Sequence, residues 1–237
     1  MKLLQKRFNA ELNAKAYQDY SNLLSLESEK GPEYVKEQLG LKRKPSGSSF
    51  KSPDEDNRIF PNTFAHVLTS IQNINMFSPM RYRIRPSHSA EEIPSKYNVF
   101  NARLDSLQSR ATWNSIFMKN HGLFPFRKFY EWVDYKVDDQ NKKTLIHFSP
   151  KEIDLMYAPC LYDKWESPDK SFYFYSFAII TTDPNQEVLE AGHDRSPIFL
   201  KDEYIDRWLN PQKENMEDIY QMLKDNKNVY YQNSLRA

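Results

Sequence analysis

Ser171-Phe172-Tyr173-Phe174-Tyr175-Ser176-Phe177-Ala178-Ile179-Ile180-Thr181-Thr182 is the clearest strand in this chain of 237 residues, filled with aromatic and β-branched side chains and free of glycine and proline. The turn residues Ser167-Pro168-Asp169-Lys170 precede it, and Asp183-Pro184 follows it as the start of a short helix that Gly192 ends. Working back from this strand, further strands are predicted over 155–162, 144–148 and 123–137, with a polar turn over 138–143. Two more are predicted over 59–68 and 71–85. A helix is predicted over 109–120, with Trp113, Ile116 and Phe117 on one side and Gly122 as its terminator. Other helices are predicted from a cap at Asp202 toward Trp208, over 214–226, and over 2–26, where Leu4, Phe8 and Leu12 recur every four residues. Strands fill the middle and helices the ends, with no βαβ alternation. The pattern predicts one α+β domain over 1–237, built on a curved, largely antiparallel sheet. Residues 42–57, KRKPSGSSFKSPDEDN, have no periodicity and are expected to form a flexible surface loop.

Lys and Arg number 33 against 32 Asp and Glu, a formal charge of +1, so contact with nucleic acid requires a local patch rather than a global field. Aromatics at 14% and a mean hydropathy of −0.80 suit a soluble chain with an aromatic core. The longest mostly apolar run, 172–180, is far short of the roughly 18 residues of a membrane helix. Leu3-Leu4 is followed at once by Gln5-Lys6-Arg7, which leaves no room for a secretory signal, so a cytoplasmic protein with no membrane partner is expected. The single cysteine, Cys160, excludes an internal disulfide and cysteine-rich zinc patterns, and its apolar context predicts a buried, inert thiol. The five glycines form no phosphate loop, dinucleotide fingerprint or nucleophile elbow. His66, His88, His121 and His147 are too far apart for a local metal motif, so no metal is expected. A monomer is the expected state.

Four groups of residues are candidates for chemistry. Glu131 stands in Phe129-Tyr130-Glu131-Trp132-Val133, where both alternating faces are apolar, and this predicts a strand buried on both sides. Such a carboxylate is either an acid/base or acceptor with a shifted pKa, or a strand-end Glu reaching solvent or a structural partner. His193 lies in the polar turn Gly192-His193-Asp194-Arg195-Ser196-Pro197, where it is a proton acceptor that Asp194 or Arg195 orients, Arg195 also being suited to an anion; the alternative is a surface turn with a capping Asp. In Asn101-Ala102-Arg103 the Asn suits orientation of a reactive group and the Arg suits a phosphate, against a simple cap and a solvated charge. Arg81, Arg83 and Arg85 alternate along one predicted strand, roughly 6–7 Å apart, close to the phosphate repeat of single-stranded DNA. The alternative there is the solvated face of a half-buried strand.

The order and spacing of Asn101-Ala102-Arg103, Phe129-Tyr130-Glu131-Trp132, Leu161-Tyr162, Ile179-Ile180-Thr181-Thr182 and His193-Asp194-Arg195-x-Pro197 resemble the SOS-response-associated peptidase family, the abasic-site processing proteins, over about residues 60–209. The resemblance implies a single α+β domain with a barrel-like core that binds single-stranded DNA containing abasic sites as part of the DNA damage response, associating with the nucleoid when bound. It implies no cofactor. In the family a cysteine directly after the initiator methionine, exposed by self-processing, closes on the ring-opened aldehyde as a thiazolidine. The resemblance assigns Asn101 to positioning that amino-terminal group, Glu131 to acid/base work, and His193 to proton transfer in sugar opening and reversal. It makes Arg103 a phosphate ligand; Arg81, Arg83 and Arg85, from their strand spacing, and Arg195, from its polar turn, are expected as further DNA contacts.

Residue 2 here is Lys2, so the thiazolidine cannot form with the chain as written. Tyr82-Arg83-Ile84-Arg85-Pro86 stands where the family has Trp-Gly-Leu-Ile-Pro, and Lys128 replaces the glycine before Phe-Tyr-Glu-Trp. The favoured expectation is a native start upstream with Met-Cys, in line with the uncapped helix at Lys2, the match of Gln5-Lys6-Arg7-Phe8 to an internal stretch of relatives, and the presence of Glu131 and His193. The other is a diverged, crosslink-deficient paralogue. Two further functions remain open from the sequence: a non-catalytic module for single-stranded DNA, and a self-processing peptidase or hydrolase using Glu131 and His193.

Overall fold

The computed structural model describes residues 10–42, 47–71, 74–137 and 140–235. Its strands, in chain order, are β1 (Phe64–Ile71), β2 (Ile74–Tyr82), β3 (Asn101–Arg103), β4 (His121–Phe126), β5 (Phe129–Val137), β6 (Gln140–Pro150), β7 (Met156–Glu166), β8 (Tyr173–Thr182), β9 (Ser196–Pro197) and β10 (Tyr231–Leu235). The helices are α1 (Ala10–Lys30), α2 (Pro32–Gln38), α3 (Ala111–Phe117), α4 (Gln186–Glu190), α5 (Ile205–Trp208) and α6 (Met216–Lys224). Strands β2, β1, β4, β7 and β8 are hydrogen-bonded in that order, and a parallel contact of β8 with β2 closes them into a barrel. The α+β architecture and the largely antiparallel pairing agree with the sequence reading. A second sheet, β10-β6-β5, stands beside the barrel.

Alternation along the strands sorts the core into two shells. One face, carrying Ala65, Val67, Met80, Cys160 and Phe177, fills the barrel. The opposite face, carrying Leu68, Leu123, Leu161, Ala178 and Ile180, is covered by α3, α5 and α6 through Trp113, Phe117, Trp208 and Ile219. Strand β8 is apolar on both faces because it is covered on both, which is why its sequence reads as a continuous run.

Several boundaries differ from the sequence expectation. The helix expected over 109–120 is the shorter α3, and Gly122 does not end it but lies inside β4. A Cβ at Gly122 would sit 2.6 Å from Val67 Cγ1 and 3.1 Å from Cys160 Sγ, so the barrel interior requires glycine there. The run expected over 123–137 is two strands, parted at Arg127 and Lys128, with β4 in the barrel and β5 in the second sheet. This division leaves β5 uncovered on one side. Trp132 is 61% exposed, whereas Phe129 and Val133 are buried, so the expectation of a strand buried on both faces is corrected. Within the loop expected over 42–57, Phe50 is buried against Phe64, Phe172 and Phe174, while residues 43–46 lie outside the described residues. The uncapped helix start at Lys2, with Leu4 and Phe8, and residues 138–139 of the expected turn also lie outside them.

The arginine-rich segment departs furthest from expectation. Arg81, Arg83 and Arg85 do converge on one side, but that side is interior, and all three are buried. Arg81 donates from Nη1 and Nη2 to the two carboxylate oxygens of Glu92 at 2.9 and 3.0 Å; Arg83 reaches the same carboxylate at 3.3 Å and Arg85 at 3.1 Å. The Arg85 guanidinium lies 3.8 Å from the centre of the Trp165 ring and that of Arg81 lies 4.7 Å from Phe174. Aromatic faces and one shared anion make burial of three cations tolerable. These arginines are structural and do not form an exposed phosphate-contacting row, which corrects the DNA-binding expectation for them. Burial opposes ionisation of Glu92, yet the three guanidinium groups hold its carboxyl below the ordinary carboxylate range. Burial pushes Arg85 down to about 10. Glu92→Gln should therefore destabilise the fold by about 3–5 kcal/mol, because it strands buried cations, and urea unfolding measures the loss.

Candidate functional site

At the carboxyl end of β8 the barrel opens into a cleft of about 740 Å³. Its construction follows from the way one edge of β8 is shared. Tyr82 of β2 pairs with Phe177, after which the chain leaves the sheet, and β3 takes over the same edge with Asn101 opposite Ile179 and Arg103 opposite Thr181. The Asn98 side chain fastens this re-entry by accepting the backbone N–H groups of Phe100 and Asn101. Ala102 is fully buried in the helix-covered shell, which leaves its two neighbours to the cleft. On the other edge β9 pairs with the end of β8, and the turn before β9 carries His193, Asp194 and Arg195. Gly192, with φ of 91°, makes the reversal after α4 that a side-chain-bearing residue would resist.

Glu131 comes from the second sheet, projecting from the Phe129 and Val133 side of β5. Its Oε2 lies 2.9 Å from His193 Nε2, and the two side chains are 24% and 21% exposed. Glu131 is thus half-buried rather than enclosed. The hydrogen bond to Glu131 raises the His193 pKa above its ordinary value, although burial works against the shift. His193 Nδ1 lies 3.3 Å from the Arg195 N–H and 3.1 Å from the Arg195 carbonyl oxygen. A neutral ring accepts from the former, and a protonated ring donates to the latter. Both charge states of the imidazole therefore have partners, a property suited to a proton carrier.

Tyr82, which lies within the arginine-rich segment, also belongs to the site, and no sequence pattern marks its hydroxyl. Its hydroxyl donates to Asn101 Oδ1 at 2.8 Å, which fixes the amide and leaves its NH2 for the cleft. Burial, reinforced by the Glu131 charge, pushes the phenol pKa well up, so Tyr82 remains a donor. Thr181, from the Ile179-Ile180-Thr181-Thr182 motif, also lines the cleft, as do Lys96 and Arg110, which lie in no sequence motif. The structure brings together five of the eight candidates: Asn101, Arg103, Glu131, His193 and Arg195. Arg81, Arg83 and Arg85 lie in the Glu92 cluster instead.

Arg103 pairs with Asp105 at 2.5 Å and Arg195 with Asp183 at 2.7 Å, and both carboxylates are largely exposed. Exposed pairs of this kind are weak, and a polyanion can displace them. Cations outnumber carboxylates along the lining, with Lys96, Arg103, Arg110 and Arg195 against Glu131 and Asp194. Among the described residues no group of three or more His, Cys, Asp or Glu side chains is placed to hold a metal ion, and no helix is long and apolar enough to cross a membrane.

Two measurements follow from this geometry. In an NMR titration, the His193 ring should titrate above about 6.5, and Glu131→Gln should lower the value. The stabilisation from the pair is fully present below the unfolded imidazole pKa and is lost as pH rises through the higher folded value. Tyr82→Phe leaves the Asn101 oxygen without its donor and should cost about 1–2 kcal/mol in urea unfolding.

The model of the SOS response associated peptidase (SRAP) family matches residues 26–234. The chain is 30% identical over 161 residues to the abasic site processing protein YoqW of Bacillus subtilis (strain 168), covering 67% of this chain and 69% of that one. It is 25% identical over 172 residues to the abasic site processing protein HMCES of Gallus gallus, covering 64% of this chain and 50% of that one. Among solved structures, a protein from Bordetella bronchiseptica matches with a TM-score of 0.60 at 15% identity, covering 87% of this chain and 95% of that one. One from Bacteroides thetaiotaomicron matches with a TM-score of 0.59 at 18% identity, covering 78% and 84%. At these identities the likeness to the two structures is one of fold.

Proposed function

The chain belongs to the SOS response associated peptidase family, and from that membership we propose that it processes abasic sites in single-stranded DNA. The observation that carries the proposal is the meeting of Asn101, Arg103, Glu131 and His193 in one cationic cleft, in a chain whose relatives are named abasic site processing proteins. An abasic deoxyribose is mostly a closed ring. Opening it to the aldehyde requires a proton to leave the anomeric hydroxyl and another to reach the ring oxygen. The Glu131–His193 pair is suited to carry both, because its imidazole, whose pKa the Glu131 hydrogen bond raises, has a partner in either charge state. Asn101, held by Tyr82, offers an amide N–H to the sugar. Arg103 and Arg195 exchange their exposed carboxylates for backbone phosphates.

The test is fluorescence anisotropy with a labelled single-stranded oligonucleotide containing one abasic site, against the same strand intact. The abasic strand should bind more tightly, binding should weaken as salt rises, and Arg103→Ala should weaken it on the order of tenfold. Glu131→Gln and His193→Ala should slow any processing of the abasic strand. Equal affinity for the two strands would favour a non-catalytic binding module instead.

A further inference from the structure

Capture of an aldehyde requires a nucleophile, and the residues lining the cleft offer few. Cys160, the one cysteine of the chain, is fully enclosed in the barrel, where burial pushes its thiol pKa well up. Among the residues lining the cleft, one bears a primary amine: Lys96. It sits on a turn in which the Tyr97 N–H bonds to the Pro94 carbonyl at 3.0 Å, and the next residue, Asn98, is tied to the backbone of Asn101. The turn is therefore fixed to the strand that delivers Asn101. The Lys96 Nζ lies 5.1 Å from the centre of the exposed Tyr97 ring. Among the described residues no carboxylate lies within ion-pair distance of it, unlike Arg103 and Arg195. This amine is not committed to the fold.

We infer that Lys96 is the amine that captures the abasic aldehyde in this cleft as a Schiff base, an inference that rests on the reading of the cleft given above. The Lys96 ammonium gives one proton to neutral His193, and the freed Nζ lone pair adds to the aldehyde carbon of the opened sugar. The carbonyl oxygen becomes a hydroxyl and then leaves as water. Both protons lost by nitrogen end on that oxygen, one of them relayed by His193. The products are a protonated imine and one water, and no oxidant or reductant takes part. The bond is reversible by the same route.

The experiment uses the full chain, a single-stranded oligonucleotide with one abasic site, and sodium cyanoborohydride, which reduces an imine to a stable secondary amine. Denaturing electrophoresis should show a reduced adduct, and peptide mass mapping should place it on Lys96. Lys96→Arg keeps the charge but cannot condense in this way, and it should lower the adduct yield roughly tenfold or more. An undiminished adduct in Lys96→Arg, or one mapped to another amine, would overturn the assignment. Absence of any adduct while the wild-type chain still prefers the abasic strand in anisotropy also overturns it, and leaves the reading of the cleft standing. Loss of that preference itself sinks both.

Discussion

Where the chain leaves β2, Arg83 adopts φ of 148°, a conformation that favours glycine, and the Glu92 carboxylate engages this guanidinium together with those on either side of it. Residues in such conformations persist only where their surroundings over-determine them, at a cost of order 1–3 kcal/mol. Here the surroundings are a carboxylate shared by three guanidinium groups, two aromatic rings, and hydrogen bonds from Arg83 to the backbone of Phe177 and Ile93. Because the chain departs at this point, the remaining edge of β8 is left for β3. Tyr82, the last residue before the departure, is thereby set beside Asn101, which arrives 19 residues later.

That handover also explains why the barrel can be closed and yet open a cleft at its rim. β2 and β3 run parallel to β8 on successive halves of one edge, and β9 covers the last part of the other. Three separate segments thus end close to one another around the tip of a single strand. A fourth, β5, comes from a different sheet and supplies the carboxylate. The Glu131–His193 pair joins the second sheet to the turn before β9 at the cleft.

Much of this was legible in the sequence. Aromatic and β-branched density located β8, and the absence of βαβ alternation gave the α+β class. The ordered set of motifs from Asn101 to Pro197 carried the family resemblance and pointed to the candidate residues Asn101, Glu131 and His193, which line one cleft. What the sequence hid were effects of the third dimension. Period-two spacing put the three arginines on one face but could not reveal that Glu92, only 7 residues after Arg85, turns that face inward. Gly122 looked like a helix terminator because glycine commonly ends helices, and only the approach of Val67 and Cys160 shows its role. An unbroken apolar run over 123–137 hid a change of sheet, and with it the true exposure of Glu131 and Trp132. The importance of Tyr82 lies in a hydroxyl that meets a residue from another strand, which no local pattern reveals.

Trp132, uncovered by that change of sheet, has an optical consequence. The chain contains 4 tryptophans, and Trp113, Trp165 and Trp208 are all buried. Red-edge emission and collisional quenching by acrylamide will accordingly be dominated by a single indole, one residue along the chain from Glu131. The molecule carries a built-in spectroscopic probe of the sheet that borders its cleft, readable without attaching any dye.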